Sequence, residues 1–294
     1  MSLPKQCCVS GSLHTGTPTG TVTKLHGLDV YIASPPSEPP KGIVVILPDI
    51  FGWTLPNTRI LADNFAAKGN FLVMLPDFMD GNEFPKDLII SLDALDATGL
   101  FAWVTKAYHL VQIIWRGWPF FKNDKAHLVR PRVHKFFRAL QHSHPELPVA
   151  AAGYCWGGQW VVELCTKPDD DSSEEIKPFV VCGFTAHPSR LKIPADIEAV
   201  TYPLSIAAAG IDQQIPVAKA KQIEDVLKAK TAKTKDRGVE HEFVLYEGTH
   251  HGFAVRADEK EGHERECGKQ AEEQAIRWFT KWFERADENV NVTE

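Results

Sequence analysis

The run Gly42-Ile43-Val44-Val45-Ile46-Leu47 most constrains the fold. It has no polar alternation and so no face to give to water. Such a run reads as a strand buried on both sides, the situation of a parallel sheet covered by helices on both faces. The downstream segments support that reading. Asn57 to Lys68 places Ile60, Leu61 and Phe65 at helical spacing and stops at Gly69. Further strands are expected over Phe71 to Leu75, Val149 to Gly153, Phe179 to Thr185, Leu204 to Ala209 and His241 to Tyr246. Helices are expected over Gly157 to Thr166, Val217 to Ala229 and Cys267 to Arg285. Thr21 to Ser34, with Gly27 inside it, predicts two short strands around a turn, and the prolines of Pro35 to Pro40 mark a loop. Strand–helix alternation of this kind predicts a single α/β domain with a mostly parallel central sheet flanked by helices.

The expected domain spans residues 21–285, after an irregular arm at 1–20 and before a C-terminal tail at 286–294. Two stretches interrupt the alternation. Residues 169–175 are an acidic run that reads as a solvated loop. Residues 88–144 are longer than one crossover helix needs, and their middle is aromatic and basic (Trp115, Arg116, Trp118, Phe120, Phe121, Lys122). They predict a helical insertion that lies over the mouth of a site, with at least one of these four aromatic residues lining it. Ordinary packing of an extended helix is the competing reading.

Composition narrows the function. With 44% hydrophobic and 24% charged residues, the 294-residue chain can bury a large core without a metal or disulfide staple. A net charge of −6 argues against a nucleic-acid partner. No apolar run approaches the roughly 18 residues of a membrane span, and no signal peptide is evident, so no membrane partner and a cytoplasmic location are expected. The six cysteines form no CxxC pair, and the five histidines from His109 to His144 lack a cysteine or carboxylate cluster. No metal and no cofactor are expected.

Chemistry enters at Gly153-Tyr154-Cys155-Trp156-Gly157-Gly158. This is the strand–turn–helix pattern G-x-S-x-G with cysteine in the serine position. Small residues flank the turn because the geometry is crowded, and a helix N-terminus favours a thiolate. In this architecture the acid and then the histidine come later in the chain, each after a further strand. Asp212 follows the strand at 204–209, and His250-His251-Gly252-Phe253 follows the strand at 241–246.

With these residues in place, the chain resembles the dienelactone hydrolase family of α/β-hydrolases over about residues 20–285. Cys7-Cys8, Pro48-Asp49-Ile50-Phe51-Gly52-Trp53 and His250 to Arg256 are most similar to its fungal branch. The resemblance implies a nucleophile at Cys155, an acid at Asp212 and a base at His251, which stands two residues before a phenylalanine; His250 is the rival. It implies an oxyanion hole from the N–H groups of Ile50 and Trp156. The family's thiol-contacting glutamate falls on Asp49, one methylene shorter. Arg256 is a candidate donor to a substrate carboxylate, and Trp115 and Trp118 are candidate substrate contacts. The implied reaction opens a lactone or activated ester through a thioester. A tailoring hydrolase acting on a polyketide ester or thioester and a catalytically silent binding scaffold are the alternatives. The oligomeric state is open.

Overall fold

The computed structural model describes residues 16–88, 102–167, 177–234, 239–257 and 262–293. Most of the expected arm, the acidic run and residues 89–101 of the expected insertion lie outside them. One eight-stranded sheet organises the chain, in the order β1-β2-β4-β3-β5-β6-β7-β8. The strands are β1 (Thr21–Leu25), β2 (Leu28–Ala33), β3 (Ile43–Leu47), β4 (Leu72–Pro76), β5 (Val149–Tyr154), β6 (Cys182–Ala186), β7 (Leu204–Ile211) and β8 (His241–His250). The first two pair antiparallel, β2 pairs antiparallel with β4, and every other pairing is parallel. All five residues of β3 are buried, as a central strand without a water face requires.

Helices cover both faces. They are α1 (Pro56–Gly69), α2 (Ala102–Asn123), α3 (Ala126–Ser143), α4 (Trp156–Leu164), the single turn α5 (Ala195–Glu198), α6 (Val217–Thr234), the single turn α7 (Phe253–Arg256) and α8 (Gly262–Thr293). Neighbouring residues of β6 show the two layers, because successive side chains of a strand point to opposite faces. Phe184 meets Phe279 of α8 at a ring-centroid distance of 6.3 Å. Gly183 faces the other way, and a side-chain carbon there would lie 2.5 Å from Cys165 Sγ and 2.8 Å from Val161 of the α4 region. Phe279 also packs on Phe65 of α1 and on Phe71, so α1 and α8 share a layer.

Several boundaries differ from the sequence reading, three of them for reasons the structure shows. Strand β6 starts at Cys182, not Phe179, because α3 claims the backbone before it. Arg138 Nη1 donates to the Lys177 carbonyl, and Gln141 Nε2 donates to those of Pro178 and Phe179. Strand β8 runs on to His250 through an irregularity opposite Ala209 and Ile211. Helix α8 continues through residues 286–293, where no glycine or proline stops it.

Candidate active site

Parallel strands bring their C-terminal ends to one edge of the sheet, where ligands bind in α/β folds. The register decides which residues meet there. Ile211 pairs with His250, so the next residues of β7 and β8, Asp212 and His251, are neighbours. Tyr154 pairs with Ala186, which sets Cys155 beside His187. Leu47 pairs with Gly153, which brings the segment Pro48-Asp49-Ile50 to the same place.

Cys155 alone makes the turn between β5 and α4, with φ 50° and ψ −108°. A non-glycine residue in this region is strained, and the surrounding packing has to hold it there. The first turn of α4 sits directly on the end of β3. A side-chain carbon at Gly157 would lie 1.9 Å from the Leu47 carbonyl oxygen, and one at Gly153 would lie 2.7 Å from that of Gly157. The Gly157 N–H donates to the Pro48 carbonyl at 3.0 Å. The glycines on both sides of Cys155 are thus demanded by close backbone approach.

His251 Nδ1 lies 2.8 Å from Asp212 Oδ2, and both side chains are buried. The other Asp212 oxygen accepts the Gln214 N–H at 2.6 Å, which orients the carboxylate. Burial alone would lower the His251 pKa. Negative charge at Cys155, the hydrogen bonds to Asp212 and Cys155, and the Asp212 charge outweigh that and push it up to about 10. His250 is turned elsewhere: its backbone N–H and ring both face Glu264, at 2.7 and 3.4 Å. Of the two adjacent histidines, His251 is the one that meets Asp212.

Asp49 and Arg256 form a buried ion pair, Nε to Oδ2 3.0 Å. Burial pushes the Asp49 carboxyl up to about 6, against the pull of Arg256, and negative charge at Cys155 adds to the rise. Asp49 Oδ1 accepts the Phe51 N–H at 3.0 Å, which shapes the loop after β3. The Arg256 guanidinium also stands over the Phe51 ring, 5.1 Å from its centroid. Gly252, at φ 101°, leaves room for it: a side-chain carbon there would lie 2.5 Å from Arg256 Nη2. Arg256 therefore faces Asp49 in this arrangement rather than solvent. No protein acceptor takes the N–H of Ile50 or Trp156 among the described residues.

Two further residues touch this site and escaped the sequence reading, both on the loop after β6. The Ser189 N–H donates to the Cys155 carbonyl at 3.0 Å, and its Oγ lies 3.8 Å from Cys155 Sγ. His187 is fully buried, with its ring edge-on to His251 at 4.9 Å. Neither of its ring nitrogens has a hydrogen-bond partner among the described residues. Burial pushes its pKa well down, and the charges of His251 and Arg256 add to that, so the ring stays neutral. The only sequence signal was their position after a buried strand, because the nucleophile–acid–base order assigns no role to that strand.

The described part of the expected insertion is the helix pair α2 and α3. Its inner face reaches the site's support. Phe120 packs on Phe84 (6.0 Å), Phe84 packs on Phe51 (6.1 Å), and the Phe84 N–H donates to the Ile50 carbonyl. Asp124, between the helices, accepts from Trp156 Nε1 at 2.8 Å. Trp115 and Trp118 lie on the outer face and are exposed. Among the described residues no helix is long and apolar enough to cross a membrane, and no three His, Cys, Asp or Glu side chains gather as a metal site.

Comparison with known proteins agrees with this architecture. The chain is 32% identical to the hydrolase tropI of Talaromyces stipitatus, over 96% of this chain and 98% of that one. It is 24% identical to the carboxymethylenebutenolidase homolog of Mus musculus, over 95% and 97%. The fold is shared with a crystal structure of dienelactone hydrolase from Anabaena variabilis (TM-score 0.56, 14% identity, covering 91% of this chain and 99% of that one). A sequence profile described as the dienelactone hydrolase family matches residues 28–286, and the chain belongs to that family.

Proposed function

We propose that the protein is a cysteine-dependent hydrolase that opens a lactone or an activated ester. The family supports hydrolysis of carboxylic esters and lactones in general. The observation that carries the cysteine mechanism is the Asp212–His251 hydrogen bond aimed at the strained elbow of Cys155. In the proposed first step His251 takes the thiol proton, Cys155 Sγ attacks the carbonyl carbon, and the developing oxyanion is received by the N–H groups of Ile50 and Trp156. The C–O bond breaks as His251 passes its proton to the departing oxygen, while Asp212 holds the imidazole in the required tautomer. In a lactone that oxygen stays tethered to the acyl group. Water, deprotonated by His251, then attacks the thioester, and Cys155 leaves as thiolate.

A thiolate is a good leaving group as well as a good nucleophile. The tetrahedral intermediate returns to substrate unless the other oxygen leaves more easily. This favours enol lactones and aryl or enol esters over alkyl esters and amides. The linked histidine and carboxylate weigh against a silent binding scaffold. The test is a screen of lactones, enol esters and aryl esters with wild type beside Cys155→Ala. Hydrolysis of the activated substrates by wild type alone is expected, and equal turnover by Cys155→Ala would refute the mechanism.

A further inference from the structure

Among the described residues, helix α2 rides on the body through Ile113, Gly117 and Phe120; its residues 103–108 are exposed on every side, and farther along the face opposite Ile113 is open. That face carries Val104, Tyr108, Val111, Trp115 and Trp118, spaced 4, 3, 4 and 3 residues apart, with exposures of 46%, 61%, 62%, 73% and 49%. A 4-3 repeat keeps its side chains on one stripe of a helix, and it is the spacing by which two helices pack side by side. Scattered exposed apolar residues need no explanation, but a contiguous stripe marks a contact.

We propose that this stripe pairs with the same stripe of a second copy, so that two chains dimerise across a two-fold axis at Val111. The area fits. A fully buried aromatic contributes about 150–250 Å², so the partly exposed stripe, with Trp103 and Ile114 beside it, offers on the order of 700 Å². A standard interface needs about 800 Å² from each partner. The sequence is also self-complementary about Val111 when the helices run antiparallel. Trp118 then meets the partner's Val104, Tyr108 meets the partner's Trp115, and the two small Val111 side chains allow close approach at the axis. Large faces small at the ends, as interdigitated packing requires. Charge selects the antiparallel direction. Lys122, one turn beyond Trp118, is the charged residue at the end of the stripe, and a parallel pair would set it against its own copy.

An anionic lipid surface is the other chemistry for an exposed Trp-rich helix, and it calls for a polar face rich in lysine and arginine; α2 has Lys106, Arg116 and Lys122 there or at its end. Of these, Arg116 is paired with Asp87, Nη2 to Oδ1 2.9 Å. That favours the second copy.

Sedimentation equilibrium on the full chain tests this. Wild type should show twice the mass of one chain. Val111→Glu should raise the dimer dissociation constant by about 30-fold or more, as for the loss of an interface hot spot. It should keep its ester hydrolysis rate, which reports an intact fold. In case that variant fails to fold, Val111→Cys should form an intermolecular disulfide under oxidising glutathione beyond any seen in wild type. Val104→Cys, which would face itself only in a parallel pair, should not. A wild type that stays monomeric overturns the proposal, whether or not it co-sediments with phosphatidylserine vesicles. A dimer that survives Val111→Glu overturns it as well.

Discussion

The carboxyl edge of the sheet and the helix pair α2–α3 treat bulky side chains in opposite ways. At the sheet edge Cys155, Asp49, His187 and His251 are all buried, and each is held by a backbone or side-chain neighbour. On α2, aromatic residues of the same helix divide between a buried face (Phe120) and an open one (Trp115, Trp118). The difference teaches where a substitution should be felt as chemistry, where as stability, and where hardly at all in the monomer.

The largest effects belong to the sheet edge. Cys155→Ala and His251→Ala should each lower kcat/KM by about 10⁴-fold or more, as in other nucleophile–base pairs. His250→Ala, whose ring faces Glu264, should lower it by less than about tenfold. Steady-state kinetics on an aryl ester separates the two histidines, and a larger loss from His250→Ala would dissolve the contrast at its strongest point.

On the inner face of the insertion, Phe120→Ala should cost about 3–5 kcal/mol of stability, the range for deleting a buried aromatic. Urea unfolding measures it. A cost under about 1 kcal/mol would mean that α2 is not packed on Phe84 as described.

A smaller effect concerns the buried Asp49–Arg256 ion pair. Asp49 takes up a proton as pH falls through about 6. Below that pH the carboxyl is neutral and Arg256 has lost its counter-charge; above it the pair is intact. The kcat/KM of wild type should therefore fall as pH drops through about 6. Asp49→Asn should lower the rate about tenfold and abolish that inflection. An unchanged profile in the variant would make Asp49 a loop-shaping residue alone, through its bond to the Phe51 N–H.

The smallest effect is expected on the open face. Trp118→Ala should change stability of the monomer by less than about 0.5 kcal/mol. It should leave KM for a small ester within about threefold. A large rise in KM would place this tryptophan against substrate after all.

The same contrast explains what the sequence could disclose. A strand buried on both faces leaves a local signature, so β3, β4, β5 and β7 are readable from their apolar runs. A turn that must admit backbone within van der Waals contact leaves glycines, so the elbow at Cys155 is readable too. Regular parallel pairing from Ala209 and Tyr246 would set Ile211 opposite Gly248; the irregularity there sets it opposite His250 instead, and so brings Asp212 beside His251. Contacts made by residues far apart in sequence leave no such mark. The carbonyls of Lys177, Pro178 and Phe179 are taken by Arg138 and Gln141 of α3, and this delays the start of β6 past its apolar run. Ser189 and His187 reach Cys155 and His251 only through strand pairing. The sequence leaves the tryptophans of α2 between pocket wall and ordinary packing, because aromatic content does not reveal which way a helix is turned.

The central claim is that Cys155 carries the acyl group during turnover. The direct measurement is mass spectrometry of the protein, acid-quenched during hydrolysis of an aryl acetate and then digested. The account predicts one acetyl group on the peptide containing Cys155, lost on hydroxylamine treatment and missing from Cys155→Ala. Acetyl on another residue during turnover, or full turnover by Cys155→Ala, would contradict it.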